Sequence, residues 1–486
     1  MKLTKNKIIY DKNINNLNGK SLAFAIPETI EEACKLVKNN PSITIRGAGT
    51  SFTGGCVAHK SLVLDLSKLN KIIEINSSKK IARVECGVIA SDLNKVLEQY
   101  DLEFPIETIF YGIETIGGMI AKNTSGSREI KYNRMMNWID SLEIINTSGE
   151  LLKISKSEVS DFIGLEGITG VIVRATLRLT TRKKRSISIL KSNNLEDIFK
   201  ANARLRLNQD ISSIELVNAD ISYLLGLEKK YHLFIEYENE EGLFRNDDYI
   251  KFFKLKNQAY KKIAGEGPYL LESVKIFQDS IDDFIIYLEN NNIQYFSHLA
   301  SGVFYLCFHP TQIDKRLESL KFARKLNGRV SYNSGFGIIN KEFIEPGEKE
   351  IIRRVKKRRD PNFKFNNYIL LNFINFSKEK PSKTFQEDNE EPVQNIESEQ
   401  LEKLEEPEQQ SEQTEEQIGQ EELEPEQEKS EEEKQQEVSE IDKQLVETFN
   451  IKTQKAKTEL SDEEKEKVKK LAAGFFAGGG EKTDDN

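Results

Sequence analysis

The chain has 486 residues, 70 Lys+Arg against 79 Asp+Glu for a formal charge of −9, and a hydrophobic share of only 38%. That length is about three domains' worth of chain on a soft prior and is ample for a core. The apolar share lies below the roughly 45–50% of globular chains, which excludes a chain folded from end to end. The charge is also divided. Residues 1–380 hold 57 basic and 46 acidic side chains (+11), and residues 381–486 hold 13 and 33 (−20).

Ser21 to Ile26 reads as a strand, Pro27 to Asn39 as a helix with Ile30, Ala33 and Leu36–Val37 on one face, and Ser42 to Ile45 as a short strand. Leu62 to Leu66 is a further strand, so the chain opens as an α/β unit. Beyond Asn70 the period changes to two. Ile72–Ile75 and Ile81–Val88 alternate, a helix spans Ala90 to Tyr100, and Asn146-Thr147-Ser148-Gly149 turns a hairpin between Leu142–Ile145 and Glu150–Ile154. Val171 to Leu179 is a long strand with Arg174 and Arg178 interleaved. These strands imply an antiparallel or mixed sheet.

Thr181 to Arg185 reads as a solvated basic connector. Residues 186–330 then repeat a β–α rhythm. Strands are expected at Ser186–Leu190, Ile214–Val217, His232–Tyr237 and Gly302–Phe308. Helices are expected at Leu195–Leu207, Tyr249–Ile263, Ser273–Asn290 and Gln312–Leu326. Residues 331–377 return with glycines and a basic helix, Glu348 to Arg359. From residue 378 the chain is Glu/Gln-rich and cannot bury enough apolar surface to offset chain entropy, so 378–486 is expected to be disordered. Within it, Ser461-Asp462-Glu463-Glu464 is a capping box, and 461–473 reads as a short amphipathic helix, either partner-docking or transient.

The N-terminus, Met1 to Lys7, leads into no apolar signal core, and no run reaches the ~18 apolar residues of a membrane span. Cys34, Cys56, Cys86 and Cys307 form no CxxC pair, which argues against a disulfide framework or an iron–sulfur cluster. A cytoplasmic location follows as the simplest expectation. The four histidines show no metal spacing, so no metal site is expected, and the diffuse basic charge gives no nucleic-acid module.

Three glycine-rich elements carry the chemistry. Arg46-Gly47-Ala48-Gly49-Thr50-Ser51-Phe52-Thr53-Gly54-Gly55 follows a strand. Glycine lets backbone N–H groups approach a phosphate, so the stretch is either a pyrophosphate cradle or a structural tight loop. Phe52 breaks a Rossmann fingerprint, and no Gly-Lys-Ser/Thr follows for a P-loop. The second element is Gly112 to Gly126, where Gly117, Gly118 and Ala121 leave space and Thr115, Asn123, Thr124 and Ser125 offer neutral hydrogen-bonding groups. The third is Gly164-Leu165-Glu166-Gly167-Ile168-Thr169-Gly170-Val171.

The order and spacing of these elements resemble the FAD-binding domain of the PCMH, or vanillyl-alcohol-oxidase, type. Within it the likeness is to the FAD subunit of glycolate oxidase and to D-lactate and D-2-hydroxyglutarate dehydrogenases. It covers residues 20–180, through the arginine–glycine loop, the Ile116-Gly117-Gly118…Ala121-x-Asn123 stretch, Lys131-Tyr132, the hairpin turn, and the Gly164-to-Ile172 turn. The resemblance implies an α+β chain: a two-subdomain FAD-binding fold over 1–185, a shortened α+β substrate cap over 186–330, a return segment over 331–377, and the tail. It also implies one bound FAD. Arg46, Gly47, Ala48, Gly49, Thr50, Ser51, Gly54 and Gly55 would serve the pyrophosphate, and Thr115, Gly117, Gly118, Ala121, Asn123 and Gly126 the flavin and ribityl chain. Glu166, Gly167, Gly170 and Ile172 would close the adenine end, with Asn366 near the flavin. Thr50 stands where some relatives attach FAD through a histidine, so non-covalent FAD is expected.

In the cap the likeness thins. The family's two metal-binding histidines fall on His298 and Tyr305, its metal glutamate on Asn333 and its base-like histidine on Ser334. One metal ligand of three remains and the base is gone, which leaves a weak site. His298 is the sole candidate catalytic residue and reads better as a core histidine. Two functions remain open. One is an FAD-dependent oxidoreductase taking a hydride from a small, anionic organic substrate, a 2-hydroxy acid by resemblance, and passing electrons to a separate acceptor such as an iron–sulfur protein. The other is a degenerate flavin-bearing subunit acting as an electron relay or structural partner. The reductase that makes UDP-N-acetylmuramate shares the FAD fold, but its serine and glutamate pattern finds no match here.

Overall fold

The computed structural model describes residues 17–371, apart from 262 and 264–268. The tail from 378 and the helix expected at 461–473 lie outside the described residues. The first unit is β1 (Lys20–Ala25), α1 (Ile30–Asn39), β2 (Ile43–Arg46) and β3 (His59–Asp65), paired in parallel in the order β1-β3-β2. The Thr29 hydroxyl caps α1 by accepting from the Glu32 N–H, and Ile30, Ala33 and Val37 are buried. They pack with Ile43 and Leu64 of the parallel sheet and with Ile145, Val171 and Val173 of the sheet that follows.

That second sheet is antiparallel, in the order β4-β5-β9-β7-β8, from β4 (Ile72–Asn76), β5 (Ile81–Glu85), β7 (Ile139–Ile145), β8 (Leu151–Ile154) and β9 (Val171–Arg178). Between β5 and β7 lie α2 (Ala90–Leu97), the short β6 (Leu102–Glu103), α3 (Ile116–Lys122) and α4 (Glu129–Tyr132); β10 (Thr180–Thr181) pairs with β6. The expected hairpin turn is present. The Asn146 Oδ1 accepts from the Ser148 and Glu150 amides at 3.0 and 2.9 Å, and Gly149 takes φ +80°.

The remaining strands form one eight-stranded antiparallel sheet, in the order β14-β11-β13-β12-β16-β17-β15-β18. In chain order its elements are β11 (Ser186–Ser192), α5 (Leu195–Leu205), β12 (Ile211–Val217), α6 (Ala219–Leu224), β13 (Tyr231–Tyr237), β14 (Phe244–Arg245) and α7 (Asn246–Lys261). They continue with β15 (Leu270–Lys275), α8 (Ile281–Asn290), β16 (Gln294–His298), β17 (Val303–Phe308), α9 (Ile313–Lys325) and β18 (Arg329–Val330). Two expectations are corrected here. The helix expected at Ser273–Asn290 begins only at Ile281, because Leu270–Lys275 pairs with β17 and β18 as a buried strand. The strand Gln294–His298 was not anticipated; it lies between β12 and β17.

The connector 181–185 is likewise not wholly solvated. Arg185 is buried and donates to Glu103 at 2.5 and 2.6 Å. It belongs to a buried ionic layer joining the two halves. Arg128 reaches Glu107 (2.8 Å) and Glu236 (2.6 Å), and Lys256 reaches Glu215 (2.6 Å). Removing one member would leave an uncompensated buried charge. After β18 the chain returns through α10 (Pro346–Arg359). Lys364–Asn366 then lies along β2: the Ile43 amide donates to Lys364 O (2.9 Å) and the Asn366 amide to Ile43 O (2.9 Å).

Candidate functional site: a glycine-lined cleft

The loop after β2 turns at Gly49, φ +75°, where any Cβ would strike the Arg46 guanidinium beneath. Arg46 is buried, with Nη1 3.5 Å from the Cys56 sulfur. It supports the loop from behind and does not line the cleft. Among the described residues, the backbone N–H groups of Gly47, Ala48, Gly49 and Thr50 have no acceptor within the chain. Ser51 and Thr53 fix the loop's far end. The Ser51 Oγ accepts from the Gly55 amide (3.1 Å), and the Thr53 hydroxyl donates to Gly335 O (2.8 Å).

Opposite stands α3. The Thr115 Oγ1 caps it, accepting from the Gly118 amide at 3.3 Å. Gly47 passes so close that a Cβ there would lie 2.5 Å from that same Oγ1, and a Cβ on Gly117 would lie 2.9 Å from the Cys86 Cβ. At Gly118 a Cβ would meet only the Thr115 Oγ1, at 3.2 Å, and otherwise enter open space. The third element closes the cleft with Glu166, Gly167, Gly170 and Ile172. Glu166 has φ +48°, and its carboxylate accepts from the Phe336 (2.7 Å) and Gly337 (3.1 Å) amides. Burial raises its pKa to about 7, against the pull of those amides.

The three elements thus enclose one cleft of about 730 Å³ of atom-free space, counted out to its open mouth. Of the residues singled out from the sequence, Gly47, Ala48, Gly49, Thr50, Ser51 and Gly55 line it, as do Thr115, Gly117, Gly118, Ala121, Glu166, Gly167, Gly170 and Ile172. Five do not. Arg46 lies behind the loop, and Gly54 packs on Ile338 and Leu17. Asn123 is the left-handed C-cap of α3, with Oδ1 accepting from the Met136 amide (3.0 Å). Gly126 presses on the Glu107 backbone. Asn366 ties β2 to the third element, accepting from the Ile45 amide (2.8 Å) and donating to Glu166 O (2.6 Å). Lys122 lines the cleft and was missed, although it follows Gly118 by one helical turn and so shares its face. Cys56 and Cys86 also line it; burial raises both thiol pKa values, so neither is a reactive thiolate.

A row of backbone amides without acceptors, beside a helix face left open at Gly118, fits a bound pyrophosphate and a flat ring system. FAD has both parts, and the residues fit it.

The cap positions carry different chemistry. His298 is 1% exposed; its Nε2 lies 4.0 Å from Glu215 Oε2, and its ring meets Tyr305 edge-on at 5.2 Å. Burial pushes its pKa down to about 4. The Asn333 Nδ2 donates to the Tyr305 hydroxyl (3.0 Å), and Oδ1 accepts from the Ser125 amide (2.9 Å). The Ser334 and Ser273 hydroxyls are 3.0 Å apart. Tyr305, Asn333 and Ser334 therefore converge as a neutral hydrogen-bond network through Ser125 and Ser273, and His298 packs against Tyr305 with its Nδ1 buried and unpartnered. Among the described residues no group of three or more His, Cys, Asp or Glu is arranged to hold a metal.

Comparison with known proteins agrees with the cleft. The family model described as an FAD binding domain matches residues 21–155. The chain is 34% identical over 173 residues to the D-2-hydroxyglutarate dehydrogenase of Xanthomonas citri pv. viticola, covering 33% of this chain and 37% of that one. It is 22% identical over 411 residues to the D-2-hydroxyglutarate dehydrogenase of Stutzerimonas stutzeri, covering 70% and 89%. It is 26% identical over 216 residues to the glycolate oxidase subunit GlcD of Bacillus subtilis, covering 42% and 45%. The match thus spans less than half the length of the first and third of these relatives. Residues 21–155 therefore match an FAD-binding domain, and the chain is similar to D-2-hydroxyglutarate dehydrogenases and to the glycolate oxidase subunit GlcD.

Proposed function

We propose that the chain is an FAD-dependent oxidoreductase acting on a small 2-hydroxy acid, with FAD held non-covalently and without the metal of its relatives. The observation that carries this reading is the cleft itself, where the acceptor-free amides of residues 47–50 meet the open face of α3 at Gly118 and the third element closes the space. Bound FAD supplies a two-electron acceptor for a hydride. The chain's own residues bind and orient it. The amides of residues 47–50 would hold the pyrophosphate, and Gly117 and Gly118 would let a ring lie against α3. Thr50 offers no ring nitrogen for attachment. The basic body suits an anionic substrate, and electrons would leave to a separate acceptor. No described helix is long and apolar enough to cross a membrane, and a cytoplasmic location is part of the proposal.

One observation favours a second reading, a flavin-bearing subunit whose own substrate site is lost. At the cap positions no group has a pKa suited to taking the hydroxyl proton. His298 is buried with a pKa of about 4, Tyr305 is pushed well above its usual range by burial, and Asn333 and Ser334 are neutral. The test is anaerobic reduction. The flavin of the purified protein should bleach on addition of D-lactate, glycolate or D-2-hydroxyglutarate. An oxidised spectrum that persists across a broad 2-hydroxy-acid panel would replace the first reading with the second.

A further inference from the structure

A second cleft, of about 1250 Å³ of atom-free space out to its open mouth, lies at the other end of α3. The two clefts share Lys122 and are separated by the loop that Glu166 holds at Phe336 and Gly337. Four cations line the second, Lys122, Arg134, Arg324 and Arg329, against two carboxylates, Glu345 and Glu348.

Those carboxylates leave two guanidinium groups, of Arg134 and Arg329, without an ion pair among the described residues. Glu345 pairs with Arg324 and forms a capping box with Glu348 at the start of α10, so both acids are engaged there. Lys122 is paired with Glu114. Arg134 lies over the Tyr332 ring (3.9 Å to its centre) and donates from Nη2 to Tyr332 O (2.8 Å); its Nε is buried without a partner. Glu129, behind Tyr332, is held by Lys275 (2.5 Å) and the Tyr332 hydroxyl (2.6 Å). Arg329 is exposed, and its guanidinium has no hydrogen bond or ion pair among the described residues. Burial lowers the Arg134 pKa, Tyr332 and the Glu129 carboxylate pull it back up, and the Arg329 charge pushes it down again. The rest of the wall mixes Asn123 and Ser331 with apolar Ile163, Val330, Phe336 and Phe343. Two guanidinium groups without ion pairs bordering one cavity is the arrangement an anion would complete.

We propose that this cleft binds an organic anion, a phosphate or carboxylate on a flat apolar body, with Arg329 and Arg134 on the charged group and the aromatic wall on the body. The proposal does not rest on the flavin chemistry above. The site lies off His298 and off the neutral network at Tyr305 and Asn333, so it suits a ligand other than the group that is oxidised.

Calorimetric titration of the full-length, flavin-loaded protein at low salt tests it, with AMP, benzoate and inorganic phosphate as probes. AMP or benzoate should bind, and whichever binds names the charged group as phosphate or carboxylate. Binding should weaken at least about tenfold in Arg329→Gln, because a charge-assisted hydrogen bond is lost, while flavin content stays unchanged. Arg329→Glu should abolish binding and raise the melting temperature of the ligand-free protein, since it supplies Arg134 with a counter-charge. Flat titrations with both organic probes would overturn the proposal, as would binding that survives Arg329→Gln. Inorganic phosphate binding as tightly as AMP would overturn the role given to the aromatic wall. Flavin absorbance, read separately, reports on the FAD cleft whatever the titrations show.

Discussion

The glycine cleft and the cap's Asn333 network are both assembled from distant segments, yet they are built in opposite ways. The cleft is made of backbone. The amides of residues 47–50 are left without acceptors, and Arg46 and Thr115 fill the space that a Cβ on Gly49 or Gly47 would need. The Asn333 network is made of groups that satisfy one another, Ser125 to Asn333 to Tyr305 and Ser273 to Ser334, while His298 beside it keeps a buried Nδ1 without a partner. A site whose polar groups lack internal partners is prepared for a ligand, whereas one whose polar groups are already bonded is prepared for packing.

The contrast is broken most severely at Gly49. Gly49→Val places a β-branched side chain at φ +75° against the Arg46 guanidinium. We expect nearly complete loss of visible flavin absorbance, and full flavin retention would remove the loop from the cofactor site. Next is the return segment that frames the cleft. Lys356 and Asp360 are fully buried and 2.6 Å apart, and Lys356 also donates to Ile168 O and Phe365 O. Asp360→Ala strands that ammonium and should cost about 3–5 kcal/mol in denaturant unfolding. A loss under about 1 kcal/mol would show that the segment is not tied as described.

A smaller effect is expected with pH. Glu166 has its native pKa raised from 4.5 to about 7. The native state therefore keeps a proton that the unfolded chain releases between those values. The associated stability is fully present below pH 4.5 and is lost as pH rises through 7. Glu166→Gln should flatten that slope, a change of up to about 3 kcal/mol. An unaltered stability profile over this range would mean that Glu166 ionises normally. Smaller again is His298→Leu. Because the ring packs as a core group, we expect flavin content to hold and any flavin-reduction rate to change less than about tenfold, against the 10²–10⁴ typical of a lost acid–base group. A collapse of that rate would return His298 to catalysis. Least of all, truncation after Lys380 should leave the flavin spectrum untouched.

The same division governs what could be read from the sequence. Backbone-built features leave local marks. The three glycine elements, the hairpin at Asn146–Gly149 and the cap on α1 are all visible as short strings, because glycine and Asx residues are needed where they stand. What was misread depends on tertiary contact. Leu270–Lys275 becomes a strand because β17 and β18 lie beside it, and Arg185 leaves solvent because Glu103 awaits it. Arg46, Asn123, Gly126 and Asn366 stand among residues of the cofactor motif yet serve as struts and caps, a distinction that spacing cannot make. The second cleft draws its cations from α3, the segment before β7, α9 and β18, so no local string announces it.

The most direct test of the central claim is the FAD released by acid precipitation from the purified full-length chain, compared with Gly118→Val. At Gly118 a side chain enters the cleft and meets little of the protein. The account predicts one FAD per wild-type chain, freed into the supernatant, and none from a variant that remains folded by circular dichroism. Equal FAD in both proteins, or a wild-type chain without flavin, would contradict it.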